Sequence, residues 1–246
     1  TVDLGADKFF TNDNYKESNP FLGCRSIRYC FEHPNIFNAQ LKAILRASAS
    51  KKNIKILFPL ISSLQELRRA KTMVWEAMEE LERRGLPFDE NIPLGVMIEV
   101  PSSVLIADVL AKEADFFSIG TNDLVQYSLA IDRDNETVAE MYCPAHPAIL
   151  RLLKMTIEVA EDNNIPVTMC GEMGSELEYL VLLMGLGLTE FSVAPPTIIP
   201  ALKKVIRTVT YERAREVAEE VSEFTNPEKS VRYLREITEE ILPEAF

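Results

Sequence analysis

Short apolar runs alternate with helical patterns along most of the chain. The runs are rich in Val, Ile and Phe and almost continuous in apolarity, which is typical of strands covered on both faces. Such strands belong to parallel sheets that pack between layers of helices. We therefore predict five buried parallel strands, at Ile54–Leu60, Leu94–Val100, Asp115–Gly120, Pro166–Glu172 and Glu190–Pro195.

Amphipathic helices are predicted between and after these strands. The clearest covers Ser63–Arg84, where apolar residues recur at helical spacing and Ser62 or Ser63 can cap the start. A second helix is expected to begin at Pro147, since proline suits the first helical position. Two charged amphipathic helices close the chain, at about 211–224 and 227–242.

The alternation of strands and helices predicts a parallel α/β fold, because each parallel crossover needs a helix. The alternatives are an open doubly wound sheet and a (β/α)8 barrel of the TIM type. The barrel is favoured because no GxGxxG motif follows a strand, and Gly185–Gly187 lies between a helix and a strand. Only a strand end at Thr1–Leu4 adds to the five strands. We therefore predict one barrel domain over residues 1–246 that lacks its first strands.

Composition narrows the classes of function. The 246 residues carry a net charge of −12, with 26 basic against 38 acidic side chains, which argues against nucleic acid or an anionic membrane as the main partner. No apolar run is long enough to cross a bilayer, and the first residues do not resemble a signal peptide. The four cysteines show no CxxC spacing, so we expect a reduced, cytoplasmic protein without structural zinc.

Polar side chains lie at the ends of three predicted strands. Glu99 ends the second, Asn122 and Asp123 follow the third, and Cys170 lies near the end of the fourth. In a barrel the carboxyl ends of the strands open on one face, where active sites lie. Glu99 and Asp123, with no nearby His or Cys, suit a hard cation, Mg²⁺ or Mn²⁺, that also contacts an anionic substrate. Helix capping is the alternative for Asp123 taken alone.

The segment SIGTNDL and two arginines predict an anion site. Gly120 allows a tight turn with exposed backbone N–H groups before a helix, which is a common way to bind an anion. Arg133 can hold a phosphate through its planar guanidinium group, although a solvated charge explains this arginine alone. Arg25 and Arg28 are three residues apart and can form a small cationic patch, with helix C-capping or salt bridging as the alternative. Cys170 is either a packed core cysteine or a group for acid–base chemistry.

Four motifs in the same order resemble one enzyme family. NPFLGCRSIR, GVMIEVP, DFFSIGTNDLVQYSLAIDRDN and MCGEMGS are similar to the C-terminal domain of the enzyme I family, the phosphoenolpyruvate–protein phosphotransferases of the bacterial sugar phosphotransferase system. The resemblance runs from Thr1 to about Arg207 and more loosely to the end. Pyruvate phosphate dikinase and phosphoenolpyruvate synthase share the scaffold, but FLG before Arg25 and TNDLxQYxLAxDR resemble enzyme I more closely.

The resemblance implies a role for each candidate residue. Arg25, Arg133 and Asn122 would hold the phosphate of phosphoenolpyruvate. The backbone at Asn122 and Asp123 would meet the carboxylate of the substrate. Glu99 and Asp123 would bind Mg²⁺.

The resemblance also implies a reaction and its partners. Cys170 would give a proton to C3 of the enolate, which yields pyruvate after phosphoryl transfer. In the family the phosphoryl group passes to a histidine on a separate N-terminal domain and then to a small histidine-containing carrier protein. The family forms homodimers through the domain that this sequence resembles.

The pattern of the family is incomplete in this sequence. A phosphate-binding arginine and the strands upstream of it would precede Thr1, and the phosphohistidine domain is absent, so we expect this chain not to complete phosphoryl transfer alone. Cys24 stands where the family often has a large aromatic residue. Three alternatives stay open: a metal-dependent aldolase or lyase acting on pyruvate-like enolates, a fragment of the dikinase or synthase, and a non-catalytic dimerisation or regulatory module.

Overall fold

The structure is a computed structural model that describes residues 1–4 and 17–243. Its centre is a five-stranded parallel sheet in which neighbouring strands are also consecutive in the chain. The strands are β1 (Ile56–Phe58), β2 (Leu94–Ile98), β3 (Phe116–Gly120), β4 (Val167–Cys170) and β5 (Glu190–Phe191). This strand order is that of a TIM-type barrel, so the predicted fold class is confirmed. Within the described residues the sheet stays open between β1 and β5.

The strands are shorter than the apolar runs that predict them. After β1, Leu60 adopts a left-handed backbone conformation with φ 54°, and after β4 Gly171 has φ 107°. After β2, Pro101 begins the next helix. Each of these residues turns the chain away from the neighbouring strand. Apolar runs therefore locate the strands and overestimate their lengths.

Helices surround the sheet. In the described part of the chain they are α1 (Ile27–Glu32), α2 (Pro34–Ser48), α3 (Leu64–Arg83), α4 (Pro101–Leu105), α5 (Ala107–Leu110), α6 (Thr121–Leu129), α7 (Pro147–Asp162), α8 (Leu177–Gly185), α9 (Ile199–Thr208), α10 (Tyr211–Ser222) and α11 (Pro227–Ile241). The four predicted helices, α3, α7, α10 and α11, are confirmed. None of the described helices combines the length and apolarity that a membrane span needs.

Ser63 caps the longest helix, as the sequence allowed. Its side chain accepts a hydrogen bond from the backbone N–H of Glu66 at 3.3 Å. The Glu66 carboxylate in turn accepts from the backbone N–H of Ser62 at 2.7 Å. This reciprocal arrangement satisfies donors that a helix start otherwise leaves unpaired, and it fixes where the chain turns from β1 into α3.

The crossovers follow a regular order. Helix α3 connects β1 to β2, α4 and α5 connect β2 to β3, α6 and α7 connect β3 to β4, and α8 connects β4 to β5. Alternate strand side chains, such as Ile98, Phe117 and Met169, are fully buried in the hydrophobic core. Since strand side chains alternate between faces, the residues between them lie on the other face of the sheet, where the candidate site is found.

Helix α8 is apolar on nearly every side and is covered by other helices. Its consecutive residues Tyr179, Leu180, Val181, Leu182 and Leu183 are all buried. It packs against α9, α10 and α11, and a Cβ added at Gly185 would lie only 2.0 Å from the carbonyl oxygen of Ala214. A helix that is hydrophobic all round needs such cover, so the closing helices share the core of the sheet domain.

The segment Thr1–Leu4, predicted to be a strand end, is not a strand. The amino group of Thr1 donates to the carbonyl of Leu57 in β1 at 2.8 Å. The next N–H, that of Val2, donates instead to the side-chain oxygen of Gln40 at 3.0 Å. The segment lies beside β1, but its donors are divided between a strand and a helix, so a strand ladder does not form.

Candidate functional site

Polar groups gather on the inner face of the sheet, toward the carboxyl ends of the strands. Ser118 in β3 pairs with Thr168 in β4, and two residues further on Gly120 pairs with Cys170. Glu99 follows β2 at the same level, since Ile98 pairs with the residue before Gly120. Side chains two apart on a strand share a face, so these residues form two layers on one side of the sheet.

Glu99 is a buried carboxyl group with a fixed backbone partner. It is 6% exposed, and its Oε1 accepts a hydrogen bond from the backbone N–H of Leu60 at 2.6 Å. The left-handed backbone conformation of Leu60 destabilises the fold by about 1 kcal/mol, because the residue has a Cβ. The strained turn after β1 directs the backbone N–H of Leu60 toward Glu99. A Cβ at Gly120 would lie 2.8 Å from Glu99 Oε2, so glycine there leaves room for the carboxyl group.

Arg25 connects the start of the chain to helix α6. Its Nη2 lies 2.9 Å from Oδ2 of Asp123, and its Nη1 donates to the hydroxyl of Tyr127 at 2.9 Å. The Tyr127 hydroxyl donates in turn to the carbonyl of Phe21. The Arg25 side chain is only 7% exposed, and a buried charge is tolerated only with partners of this kind.

The two carboxyl groups form an electrostatically coupled pair. Burial, and then the nearby charge of Asp123, raise the pKa of Glu99 to about 8. Among the described residues no group of three or more His, Cys, Asp and Glu side chains can hold a metal ion. Mg²⁺ commonly uses one or two protein carboxylates and completes its shell with water and substrate oxygens. Glu99 and Asp123 therefore fit Mg²⁺, because a divalent cation would also remove their repulsion.

The start of helix α6 leaves backbone donors without a side-chain cap. Gly120 is the N-cap residue, and no side chain caps this helix end. A Cβ at Gly171 would lie 2.5 Å from Thr121 Oγ1 and 3.0 Å from Asn122 Oδ1, so the loop after β4 closely approaches the first turn of α6. First-turn N–H groups and the helix dipole attract an anion such as a carboxylate.

Arg133 lies at the outer side of the same edge. Its guanidinium is 3.4 Å from Oε1 of Glu172, and both side chains are more than one third exposed. The backbone N–H of Glu172 donates to the side-chain oxygen of Asn122 at 3.0 Å. The hydroxyl of Tyr142 lies 3.4 Å from the carbonyl oxygen of Asn122. Contacts through Glu172 and Asn122 therefore link Arg133 to the start of α6.

Cys170 presents a protonated thiol to this edge. Burial is the main cause that raises its pKa above the ordinary value, and the charge of Glu99 adds to the effect. The hydroxyl of Ser118 donates to its sulfur at 3.1 Å and acts in the opposite direction. A thiol that holds its proton at neutral pH can serve as a proton donor.

The structure brings together most of the side chains that the sequence nominated. Arg25, Glu99, Asp123 and Cys170 lie at one edge, and Arg133 joins them through intermediate contacts. Arg28, in contrast, turns away from Arg25 toward Glu66, 3.6 Å away. The predicted roles of these residues stay predictions.

Two residues of the site were missed by sequence reasoning. Tyr127 is four residues after Asp123, which is the spacing of neighbours on one helix face. Ser118 is two residues before Gly120, which is the spacing of neighbours on one strand face. Both spacings were readable from the sequence, but neither side chain is charged, and only their contacts with Arg25 and Cys170 reveal them.

Comparison with known proteins defines the class. The family described as PEP-utilising enzyme, PEP-binding domain, matches residues 1–211. The chain belongs to this family, where PEP is phosphoenolpyruvate, and the resemblance drawn from the four motifs is confirmed. The matched range includes every candidate residue and ends at the start of α10.

Within that class the chain is similar to phosphoenolpyruvate-protein phosphotransferases. It is 46% identical over 222 residues to that of Buchnera aphidicola subsp. Schizaphis graminum, covering 90% of this chain and 39% of the relative. It is 43% identical over 237 residues to that of Bacillus subtilis, covering 96% and 41%. It is 48% identical over 206 residues to that of Priestia megaterium, covering 83% and 36%. The chain thus spans about two fifths of the length of these curated relatives.

A solved structure supports the fold. A citrate lyase from Burkholderia xenovorans LB400 superimposes with a TM-score of 0.50 at 13% sequence identity, covering 84% of this chain and 68% of the lyase chain. At this identity the likeness concerns the fold alone.

Proposed function

We propose that this chain binds phosphoenolpyruvate together with Mg²⁺, or Mn²⁺, at the carboxyl edge of β2, β3 and β4. The observation that carries the proposal is the buried Arg25–Asp123 pair beside Glu99, 2.9 Å between charged atoms, at the edge where α6 begins. This edge offers carboxylates for a cation and guanidinium and backbone N–H groups for an anion. Phosphoenolpyruvate needs both kinds of group.

The two anionic ends of the substrate have separate binding groups. Arg25 and Arg133, with Asn122, would hold the phosphate, because guanidinium groups match phosphate oxygens in geometry and charge. The N–H groups at the start of α6 would hold the carboxylate, because no side chain caps them. Glu99 and Asp123 would hold Mg²⁺, which supplies charge neutralisation at the phosphate and enolate oxygens.

We further propose that the chain serves as one part of a phosphotransferase. The P–O bond of phosphoenolpyruvate breaks as the phosphoryl group passes to a histidine on a separate N-terminal domain. The enolate that is left takes a proton at C3 from the Cys170 thiol and becomes pyruvate. In this proposal the protein is cytoplasmic and homodimeric, and it passes the phosphoryl group to a histidine-containing carrier protein for sugar uptake.

Calorimetry with phosphoenolpyruvate tests the binding proposal. We expect a heat of binding that depends on Mg²⁺ and that is lost in Arg133→Ala. Arg215→Ala is the matched control, because Arg215 on α10 also lies 3.4 Å from a glutamate, Glu219. Absence of Mg²⁺-dependent heat at millimolar ligand would favour a dimerisation module. Binding of pyruvate-like enolates that is unaffected by Arg133→Ala would favour a lyase.

Proton release tests the metal site independently of the substrate. Glu99, with a pKa of about 8, is mainly protonated at neutral pH and must lose its proton to bind a cation. We expect Mg²⁺ binding to release about one proton, measured as a dependence of the binding heat on buffer ionisation enthalpy. Glu99→Gln should abolish the release, and release that persists in this variant would place the metal elsewhere.

A further inference from the structure

A chain of hydroxyl groups leads through the inner face of the sheet to Cys170. The Thr168 hydroxyl donates to Oγ of Ser118 at 3.0 Å, and the Ser118 hydroxyl donates to the sulfur of Cys170 at 3.1 Å. Ser118 is 4% exposed and is flanked by Phe117 and Ile119, which are fully buried. The pairing of β3 with β4 sets the two hydroxyl groups opposite each other, directly below the thiol.

The direction of these hydrogen bonds decides what the thiol can do. Because Oγ of Ser118 accepts a hydrogen bond from the Thr168 hydroxyl, the Ser118 hydroxyl directs its own proton to the sulfur, which acts as an acceptor. The thiol proton is not used in this contact. Within the described residues, the other hydrogen-bond partner of the sulfur is the carbonyl of Ile119, at 3.4 Å. In the ligand-free chain the thiol donates a hydrogen bond to this carbonyl, and because a thiol is a weak donor its proton can turn to a ligand at the edge.

We propose that Ser118 is a positioning residue for Cys170, with Thr168 orienting Ser118. The inference rests on the proposed function, in which Cys170 protonates an enolate. In that step the S–H bond breaks, a C–H bond forms at C3, and the bonding electron pair stays on the sulfur. The thiolate that results receives the hydrogen bond already donated by Ser118, which is stronger to a charged acceptor than to a neutral one.

The surroundings of Cys170 explain why such a donor is needed. Burial disfavours the thiolate, and Glu99, once it is ionised, disfavours the thiolate further. Ser118 is the side chain that opposes both effects. Without Ser118 the thiolate would form in a buried site near Glu99, and no other side chain of the described residues would donate a hydrogen bond to it.

Alkylation of the ligand-free chain tests the positioning directly. Iodoacetamide reacts with thiolates, and peptide mapping reads Cys170 apart from Cys24, Cys30 and Cys143. Loss of a hydrogen bond to a charged group lowers the thiolate fraction about tenfold, and the higher nucleophilicity of a more basic thiol offsets part of this. We expect Cys170 in Ser118→Ala to react about threefold more slowly, with the other cysteines unchanged.

Two further variants separate positioning from structural damage. Ser230→Ala removes an equally buried hydroxyl from α11 and should leave Cys170 reactivity unchanged. Ser118→Thr keeps a donor and should restore most of the rate. Unchanged Cys170 reactivity in Ser118→Ala would overturn the proposal, as would an equal loss in Ser230→Ala.

Exchange of the methyl protons of pyruvate for deuterium tests the same role with a ligand. In the presence of Mg²⁺ we expect Ser118→Ala to slow exchange about tenfold while the Kd for pyruvate stays the same. A weaker Kd with an unchanged maximal rate would overturn the positioning role. If the unaltered chain neither binds pyruvate nor exchanges its protons, the proposed function fails and the role in protonation fails with it. The alkylation result still decides whether Ser118 acts on the thiol.

Discussion

Two arginine–carboxylate pairs lie at the carboxyl edge of the sheet, and they differ in burial. Arg25 and Asp123 are 7% and 16% exposed and are 2.9 Å apart. Arg133 and Glu172 are 37% and 67% exposed and are 3.4 Å apart. Arg25 of the inner pair donates a further hydrogen bond to the hydroxyl of Tyr127, whereas within the described residues the Arg133 guanidinium bonds to Glu172. Two pairs of the same chemical kind, arginine with carboxylate, therefore differ in how firmly they are held at one edge of the sheet.

The inner pair is a fixed charge arrangement and the outer pair an exchangeable one. Burial acts to lower the pKa of Arg25, but the charge of Asp123 and its hydrogen bond to Arg25 leave the pKa raised above its ordinary value. Arg25 therefore stays charged and in place. Exposed pairs are held weakly because water and salt compete for both partners. Arg133 can thus leave Glu172 for a ligand phosphate at little cost.

Removal of each arginine should give the largest contrast. In Arg25→Met, Asp123 loses its ion-pair partner and faces Glu99 as an unpaired, half-buried carboxylate. We expect this change to lower the free energy of unfolding by about 3 kcal/mol. In Arg133→Met we expect a change below about 1 kcal/mol. Urea denaturation of both variants measures the difference. Equal losses would show that burial does not separate the two pairs.

Replacement of Glu99 by Gln should change how stability depends on pH. The folded pKa of about 8 exceeds the ordinary value of 4.5, so the carboxyl of the parent contributes full stability below about pH 4.5 and loses it as pH rises toward 8. Glu99→Gln lacks this loss. We expect the variant to match the parent in acid and to exceed it by a few kcal/mol above pH 8, at about 1.4 kcal/mol per unit.

Unfolding experiments at several pH values, without divalent cations, test this prediction. The control is Glu219→Gln, because Glu219 is 72% exposed on α10 and should show no such trend. A stability difference between Glu99→Gln and the parent that does not grow between about pH 4.5 and 8 would contradict the raised pKa of Glu99.

The sequence predicted which carboxyl groups lie close together at this site, but it did not predict which side chains pair with them. Glu99 and Asp123 follow adjacent parallel strands, and parallel strands end on one side of a sheet, so their proximity followed from the strand pattern. The pairing of Arg25 with Asp123 spans 98 residues, and no local spacing encodes it. A long-range contact of this kind depends on how α1 packs on the completed sheet.

Strand lengths show a different limit of sequence reasoning. Apolar runs report burial, and residues remain buried after the ladder ends, as Leu60 does at 2% exposure. The left-handed turn at that position serves the hydrogen bond to Glu99, which cannot be read from a leucine. The expected strand end at Thr1–Leu4 failed for a related reason, because a side chain, Gln40, takes the second donor.

Tyr127→Phe should weaken the inner pair by a smaller amount. The hydroxyl accepts from Arg25 and donates to the carbonyl of Phe21, so its loss leaves a charged donor with one partner fewer. We expect a loss of about 1.5 kcal/mol in the free energy of unfolding, measured by urea denaturation. Tyr211→Phe is the control, because Tyr211 is 52% exposed. A loss no larger than that of the control would mean that the carboxylates of Asp123 and Asp3 hold Arg25 without help from Tyr127.

Removal of Glu172 should have the smallest effect on stability. In contrast to removal of Arg133, it should strengthen the binding of phosphoenolpyruvate. Glu172→Ala frees Arg133 from an exposed partner, so stability should change by less than about 1 kcal/mol. Because the ligand phosphate no longer competes with a carboxylate, phosphoenolpyruvate should bind up to about fivefold more tightly at low salt. The gain should shrink as ionic strength rises.

Calorimetry of Glu172→Ala beside Glu219→Ala measures this effect, since Glu219 lies 3.4 Å from Arg215 on α10 and outside the candidate site. Weaker binding in Glu172→Ala would contradict an exchangeable outer pair. It would mean that Glu172 holds Arg133 in the position that the phosphate requires. The Arg133–Glu172 pair would then be needed intact for binding, although it is exposed. Exposure alone would not tell which of the two pairs can exchange its partner for a ligand.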